Sequence, residues 1–227
     1  MDDTRTRRGL ADTTGLLDRF ERARHIAPDP DFDPHAQPTP AEVTAHNRQR
    51  ALHCLDVWTP PLFRRARTDH PTITRWAQAY IADRTRAGSL LLLGRAGTGK
   101  THQAYGAIRL IAESGRPPIA WRGISAVDLY AALRPRQGID SEEEFAHYAG
   151  LDLLLLDDLG AAKDTAFTED VTYRLINHRY ERGLPLLVTT NLRAGEIKNA
   201  VGDRTASRLA AMCTQIELTG EDRRRTR

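Results

Sequence analysis

Leu90-Leu91-Leu92-Leu93-Gly94-Arg95-Ala96-Gly97-Thr98-Gly99-Lys100-Thr101 is the stretch on which the reading of this chain turns. Four consecutive leucines bounded by glycine fit a strand buried on both faces. Beyond Thr101, the apolar residues Ala104, Ile108, Ile111 and Ala112 fall on one face of a helix that Gly115 closes. Between strand and helix, the glycines let the backbone curl so that successive N–H groups and the helix N-terminus converge on one point. This is a phosphate-binding P-loop in the strand-loop-helix context that its chemistry requires. Gly94, Arg95, Ala96, Gly97, Thr98, Gly99, Lys100 and Thr101 form it, and the adjacent His102 is counted with the nucleotide-binding residues. Lys100 is expected on the β- and γ-phosphates and the Thr101 hydroxyl on Mg²⁺.

The next signal is Leu153-Leu154-Leu155-Leu156-Asp157-Asp158, an apolar run too short for a helix that ends in two carboxylates. On a buried parallel strand both acids come to the carboxyl edge, where open α/β sheets bind ligands. Asp157 then holds Mg²⁺ and Asp158 is the base for an attacking water. The competing reading is a strand that ends in a polar turn. A further strand ends in Thr189-Thr190-Asn191, which brings an amide to the same edge, although an Asn at a strand end is often only a turn former. Arg204 and Arg208 lie four apart on a helix whose buried stripe is expected to be Leu209, Met212, Cys213 and Ile216. An arginine so placed either reaches a phosphate across a subunit interface or is a solvated charge.

Five strands are expected, at 89–93, 117–122, 152–157, 185–190 and 214–218, alternating with helical periods as in a parallel sheet with crossover helices. Ser141 with Glu144 reads as a capping box, and Thr168-Glu169-Asp170 starts a helix that Gly183 ends. A length of 227 residues accommodates one such α/β domain and a small appendage. Residues 12–27 fit a short amphipathic helix through Leu16, Phe20, Ala23 and Ala27. Residues 28–40 carry five of the twelve prolines and read as an extended linker. Thr39 and Pro40 open a second helix, to about Val57, with Val43, Ala51, Cys54 and Leu55 inward. The expected division is therefore a helical N-terminal region at 1–60 and the main domain at 61–227.

Composition excludes several classes. Hydrophobic residues at 40% and charged residues at 28% suit a globular domain. No apolar run approaches the roughly 20 residues of a membrane span, and the charged N-terminus lacks a secretory signal, so a cytoplasmic protein without a membrane partner is expected. Cys54 and Cys213 are too few for a disulfide framework and read as small buried thiols. The net charge of +3 does not argue for nucleic acid. Its make-up is more telling, because Lys100, Lys163 and Lys198 are the only lysines among 33 basic residues. A chain with so strong a preference for Arg keeps the compact ammonium at the P-loop.

Together these motifs resemble the AAA+ ATPases of the DnaC/DnaI/IstB-like helicase-loader family. The resemblance covers roughly residues 57–227. Beyond the P-loop it rests on the lead-in Pro60-Pro61-Leu62-Phe63-Arg64 through Trp76, on residues 155–160 and on Thr189-Thr190-Asn191. Val201-Gly202-Asp203-Arg204, Ser207-Arg208-Leu209, Ile216-Glu217-Leu218, Gly220 and Arg223 complete it. The resemblance implies a three-layer P-loop NTPase sandwich with a five-stranded parallel sheet and no separate lid domain. It implies ATP and Mg²⁺ as ligands and makes Asn191 sensor 1. Arg208 becomes the trans-acting finger with Arg204 beside it, and Arg223 or Arg224 a sensor 2 substitute. It further implies ATP-dependent self-assembly, contact with single-stranded DNA, and delivery of a hexameric replicative helicase docked through the N-terminal region.

Two departures qualify that pattern. Many AAA+ proteins carry Glu where Asp158 stands, and the shorter arm implies slow hydrolysis. Residues 1–60 hold no Cys/His zinc cluster. Between the second and third strands, Tyr130, Arg134 and Arg136 offer stacking and phosphate contact to a single strand, against the plainer reading of an exposed helical hairpin. Three other functions remain open: an IstB-like transposition helper acting with a transposase on duplex DNA, a small P-loop metabolite kinase, and a nucleotide-binding module without useful hydrolysis.

Overall fold

The computed structural model describes residues 38–220 apart from 117, 118, 139 and 164. The helix expected at 12–27, the linker before residue 38, Arg223 and Arg224 lie outside the described residues.

Helix α1, Pro40–Trp58, starts where Thr39 and Pro40 indicate. The Thr39 hydroxyl accepts from the Glu42 N–H at 3.3 Å, and the Glu42 carboxylate accepts from the Thr39 N–H at 2.7 Å. This reciprocal cap satisfies two of the orphan donors of the first turn. Leu55 enters the core, whereas Val43, expected inward, is 42% exposed. At the C-terminal end Trp58 meets the edge of Trp121, with centroids 5.8 Å apart, and the Arg122 guanidinium lies 3.3 Å above the Trp58 ring. These contacts bring α1 into the compact unit that runs from Thr39 onward.

A 3₁₀ turn, Pro61–Phe63, leads to helix α2, Pro71–Ala82. The segment between them is clasped onto the helix that follows the P-loop. His102 Nε2 accepts from the Arg67 N–H at 3.4 Å, and Gln103 Oε1 accepts from the Thr68 hydroxyl at 2.7 Å and the Asp69 N–H at 3.2 Å. Only glycine fits at position 106, since a Cβ there would overlap the Arg67 carbonyl carbon and the Thr68 nitrogen.

The remaining order is β1 Ser89–Leu93, α3 Lys100–Ser114, β2 Trp121–Ser125, α4 Ala126–Leu133, α5 Ser141–Gly150, β3 Leu153–Leu159 and α6 Ala166–Arg182. It continues with β4 Leu186–Thr190, a 3₁₀ turn at Ala194–Glu196, α7 Ile197–Val201, α8 Asp203–Met212 and β5 Cys213–Glu217. The strands form one five-stranded sheet in the order β2-β3-β4-β1-β5, and every pair in it is parallel. Alternation along each strand sends residues to two cores. Leu90, Leu92, Leu153, Leu155 and Leu187 meet α1, α2 and α3 on one face. On the other, Leu91, Leu93, Leu154, Leu156 and Val188 meet α4, α6 and α8. Helix, sheet and helix thus make the expected AAA+ three-layer sandwich.

Several local expectations are corrected, beginning with α6, which starts at Ala166 under a Thr165 cap and not at Thr168. Strand β2 begins at Trp121, not at 117; residues 117 and 118 are prolines, which cannot donate to a ladder. Helix α5 is capped by Asp140, whose carboxylate accepts from the Glu142 and Glu143 N–H groups at 2.9 and 3.1 Å, and not by a Ser141–Glu144 box. A charged acceptor one residue earlier is the stronger cap. Helix α8 ends at Met212, and Cys213 and Ile216 belong to β5, which pairs with β1 from Ser89 opposite Cys213. The buried residues of α8 are therefore Thr205 and Leu209. Cys54 and Cys213 are free and half-buried, and burial pushes the Cys213 thiol up to about 12, which leaves it protonated and unreactive.

Candidate active site

The loop between β1 and α3 has its glycines at positive φ, with Gly94 at 145°, Gly97 at 86° and Gly99 at 92°. At Gly94 a Cβ would run into the Leu218 carbonyl oxygen and lie 3.1 Å from the Thr98 hydroxyl. The curl is therefore available only to a residue without a side chain. Helix α3 has no side-chain cap, its N-cap being Gly99. Its first N–H groups are left for an outside acceptor, as an anion-binding helix N-terminus requires. The cradle fits a phosphate chain.

Lys100 is 5% exposed, at the first position of α3. Its ammonium donates to the Gly94 and Arg95 carbonyls at 2.9 and 3.0 Å and to Asn191 Oδ1 at 2.8 Å. The other side of the Asn191 amide donates to Asp158 Oδ1 at 3.2 Å. One side chain therefore joins the P-loop lysine to the candidate base. Next to it, the Thr101 hydroxyl donates to Asp157 Oδ1 at 2.9 Å. Asp157 also accepts from the Thr189 hydroxyl at 2.5 Å. Burial raises the Asp157 carboxyl above the usual range, the hydrogen bonds from Thr189 and Thr101 pull it back, Asp158 pushes it up and Lys100 draws it down. A carboxylate held partly out of water among hydroxyls gains from a divalent cation, and Thr101 with Asp157 suits Mg²⁺, a hard ion that takes oxygen ligands and retains waters.

The sequence-indicated residues thus fall into three groups. Gly94 to Thr101, Asp157, Asp158 and Asn191 come together at the carboxyl edge of β1, β3 and β4. His102 turns to the lead-in at Arg67. Arg204 and Arg208 stand apart on α8, and among the described residues no hydrogen bond or ion pair links them to the cluster. The Arg208 guanidinium lies 4.9 Å from the Tyr180 ring, and Arg204 lines a cleft of about 420 Å³ with Glu169, Asp170, Tyr173 and Asp203. Tyr130 does not offer its ring to a base, because it is 7% exposed and its hydroxyl is 2.6 Å from that of Thr172. Arg134 and Arg136 are exposed. Sequence reasoning missed Thr189 and the clasp residue Gln103. Thr189 was recoverable, since a period of two puts it on the same face as Asn191.

Residues 68–227 match the family described as IstB-like ATP binding protein. The chain belongs to that family. Its nearby relatives extend the same group of IstB/DnaC/DnaI-like AAA+ ATPases. YdaV of Escherichia coli K12, described as uncharacterized, is 24% identical over 181 residues, which is 74% of this chain and 72% of YdaV. The replicative helicase loader DnaC of the same organism is 22% identical over 124 residues, 53% of this chain. That match spans 49% of DnaC, so the chain covers about half of this loader. Among solved structures, one of the DnaC helicase loader superposes with a TM-score of 0.57 at 19% identity, covering 75% of this chain and 99% of that one, a likeness of fold. Family membership agrees with the P-loop cradle in indicating ATP as the nucleotide. Among the described residues, no helix is long and apolar enough to cross a membrane.

Proposed function

We propose that this chain binds and hydrolyses ATP with Mg²⁺ and uses the nucleotide state to load a replicative helicase onto single-stranded DNA. The observation that carries the ATPase part is the continuous polar path from Lys100 through Asn191 to Asp158, beside Thr101 and Asp157. Loop N–H groups and Lys100 bind the phosphates, so Lys100 exchanges carbonyl partners for phosphate oxygens when ATP enters. Thr101 and Asp157 hold Mg²⁺, which neutralises phosphate charge when bound. Asp158 takes the proton of the attacking water, and Asn191 orients it. Asp158 has a shorter arm than the Glu that many AAA+ proteins carry there, so turnover is slow until assembly or DNA improves the geometry. The family resemblance gives the sensor 2 role to Arg223 or Arg224.

The loader part rests on likeness to DnaC and on family membership. In this reading the N-terminal region at 1–60 docks the hexameric helicase. The exposed Arg134 and Arg136 meet the phosphates of the DNA strand, and the protein acts in the cytoplasm. Arg208 reaches the nucleotide of a neighbouring copy, with Arg204 beside it, in an ATP-dependent homo-oligomer. Replacing Arg208 with Ala is expected to leave ATP binding near the wild-type value and to lower hydrolysis under assembling conditions about tenfold or more. Steady-state phosphate release with parallel light scattering checks this, and wild-type turnover in the variant would remove Arg208 from the finger role.

The family match to IstB-like ATP binding proteins favours one second reading, a transposition helper whose partner is a transposase. Co-purification of the tagged full chain with the replicative helicase and with a transposase of its own source, in the presence of ATP, separates the two. Retention of the helicase is expected. Retention of the transposase alone would make the chain a transposition helper.

A further inference from the structure

The two acids at the end of β3 pose a geometric problem that the chain solves with one hydroxyl. Successive side chains of a strand point to opposite faces. Leu153 and Leu155 enter the core on the α3 side, and Leu154 and Leu156 the core on the α6 side. Asp157 continues the first set, so a regular strand would turn Asp158 into the second core, away from the P-loop. The register with β4 breaks at this point. Leu156 pairs with Val188 and Leu159 with Thr190, so three residues of β3 advance against two of β4. Leu159 rejoins the core that Leu154 and Leu156 line, and one residue has been expelled from the alternation. That residue is Asp158, which has a φ of 52° and is the only non-glycine at positive φ among the described residues.

A left-handed Asp with an N–H lost from the ladder needs a local partner. Thr189 supplies it. Its hydroxyl accepts from the Asp158 N–H at 2.9 Å and donates to Asp157 Oδ1 at 2.5 Å. Thr189 itself is fully buried and faces the α3 side of β4, opposite Leu92. Val would fill the same space, so strand propensity and packing do not require the oxygen there.

We propose that Thr189 is a positioning residue for the hydrolytic site, whose single hydroxyl aims the Asp157 carboxylate at Thr101 and holds the expelled residue so that Asp158 faces Asn191. The proposal rests on the reading of this site as an Mg²⁺-ATP site. The Thr189 hydroxyl bonds to the two acids, at the Asp158 N–H and the Asp157 carboxylate. Its effect passes through the two acids, so Mg²⁺-dependent binding and turnover depend on it while metal-free binding through Lys100 does not.

The test uses the full chain with Thr189→Val, which removes the hydroxyl at nearly constant volume, and Thr189→Ser, which keeps it. A fluorescent ATP analogue is titrated with Mg²⁺ and again with EDTA, and phosphate release is measured at saturation. In Thr189→Val the affinity gained from Mg²⁺ should fall about tenfold and turnover about tenfold to a hundredfold, the loss of a hydrogen bond to a charged group, while EDTA affinity stays within about twofold. Thr189→Ser should restore both values to within about threefold of wild type. A Val variant that keeps the Mg²⁺ gain and the turnover overturns the proposal, as does a Ser variant as impaired as Val, which would assign the effect to the methyl group. If Thr189→Val does not fold, Thr189→Ala and Thr189→Ser are compared by the same ratio, and equal values overturn the proposal. Failure of the underlying reading looks different, because the wild-type chain would then bind no Mg²⁺-ATP.

Discussion

Replacing Lys100 with Ala is expected to abolish ATP binding, raising the dissociation constant about a hundredfold or more, roughly 2.7 kcal/mol. The size follows from its surroundings. The ammonium is enclosed by the loop at 5% exposure, close to the Gly94 and Arg95 carbonyls and to Asn191, which orient it toward the space that the α3 N-terminus faces. An ion pair with a triphosphate in such a sheltered place is far stronger than one in water. Lys100→Arg should fail almost as badly, because a planar five-donor fork does not fit a slot shaped for a tetrahedral ammonium. Thermal midpoints should remain close to wild type, since Gly94 is half-buried and Arg95 exposed, so that water can reach both carbonyls once the side chain is gone. Equilibrium titration with Mg²⁺-ATP, accompanied by a melting curve, checks both halves.

The second large effect lies at the opposite edge of the sheet. Arg179 on α6 is 0% exposed. Its guanidinium donates to the buried carbonyls of Ala149 at 3.1 Å, Leu151 at 2.9 Å and Pro185 at 2.5 Å, and to the part-buried Tyr148 carbonyl at 3.4 Å. It thereby ties the C-terminal end of α5 to the entries of β3 and β4. Among the described residues no carboxylate pairs with it directly, and burial lowers the guanidinium to about 10, only partly offset by Tyr80 and Asp152. Arg179→Met keeps much of the volume but takes the guanidinium donor away from three buried carbonyls, at a cost of about 1–3 kcal/mol for each one left unsatisfied. Relief of the buried charge offsets part of this, for a net loss of about 3 kcal/mol. At roughly 2–4 °C per kcal/mol for a domain of this size, the midpoint should drop by about 10 °C. Below that midpoint Mg²⁺-ATP affinity should be unchanged, because Leu151 and Pro185 precede their strands and the nucleotide site follows them. An unshifted melting curve would show that Arg179 does not pin these elements.

The layered fold was legible because β1, β3 and β4 are leucine-rich runs flanked by punctuation, whereas β2 and β5 carry no leucine and the expected β2 begins too early. The P-loop, Asp157 and Asn191 were legible for a related reason, since strand ends in a parallel sheet all come to one edge. Asp158 was legible only in type. Its approach to Asn191 depends on an irregularity between β3 and β4 that no periodicity reveals, and on a hydroxyl in the neighbouring strand. Arg179 was invisible for the opposite reason. A charged residue on a helix reads as solvated, and nothing in its neighbours along the chain announces four carbonyls gathered from elsewhere. Tyr130 misled through its type. Aromatic and basic residues near each other suggest a nucleic-acid surface, but α4 turns the ring inward to Thr172 and leaves only the arginines outside.

The most direct test of the account as a whole is the titration of the full wild-type chain and its Lys100→Ala variant with Mg²⁺-ATP under identical conditions. Saturable binding by the wild type that is lost in the variant, with both chains folded, is the predicted result. A folded wild-type chain that does not bind Mg²⁺-ATP, or a variant that binds it equally well, would contradict it.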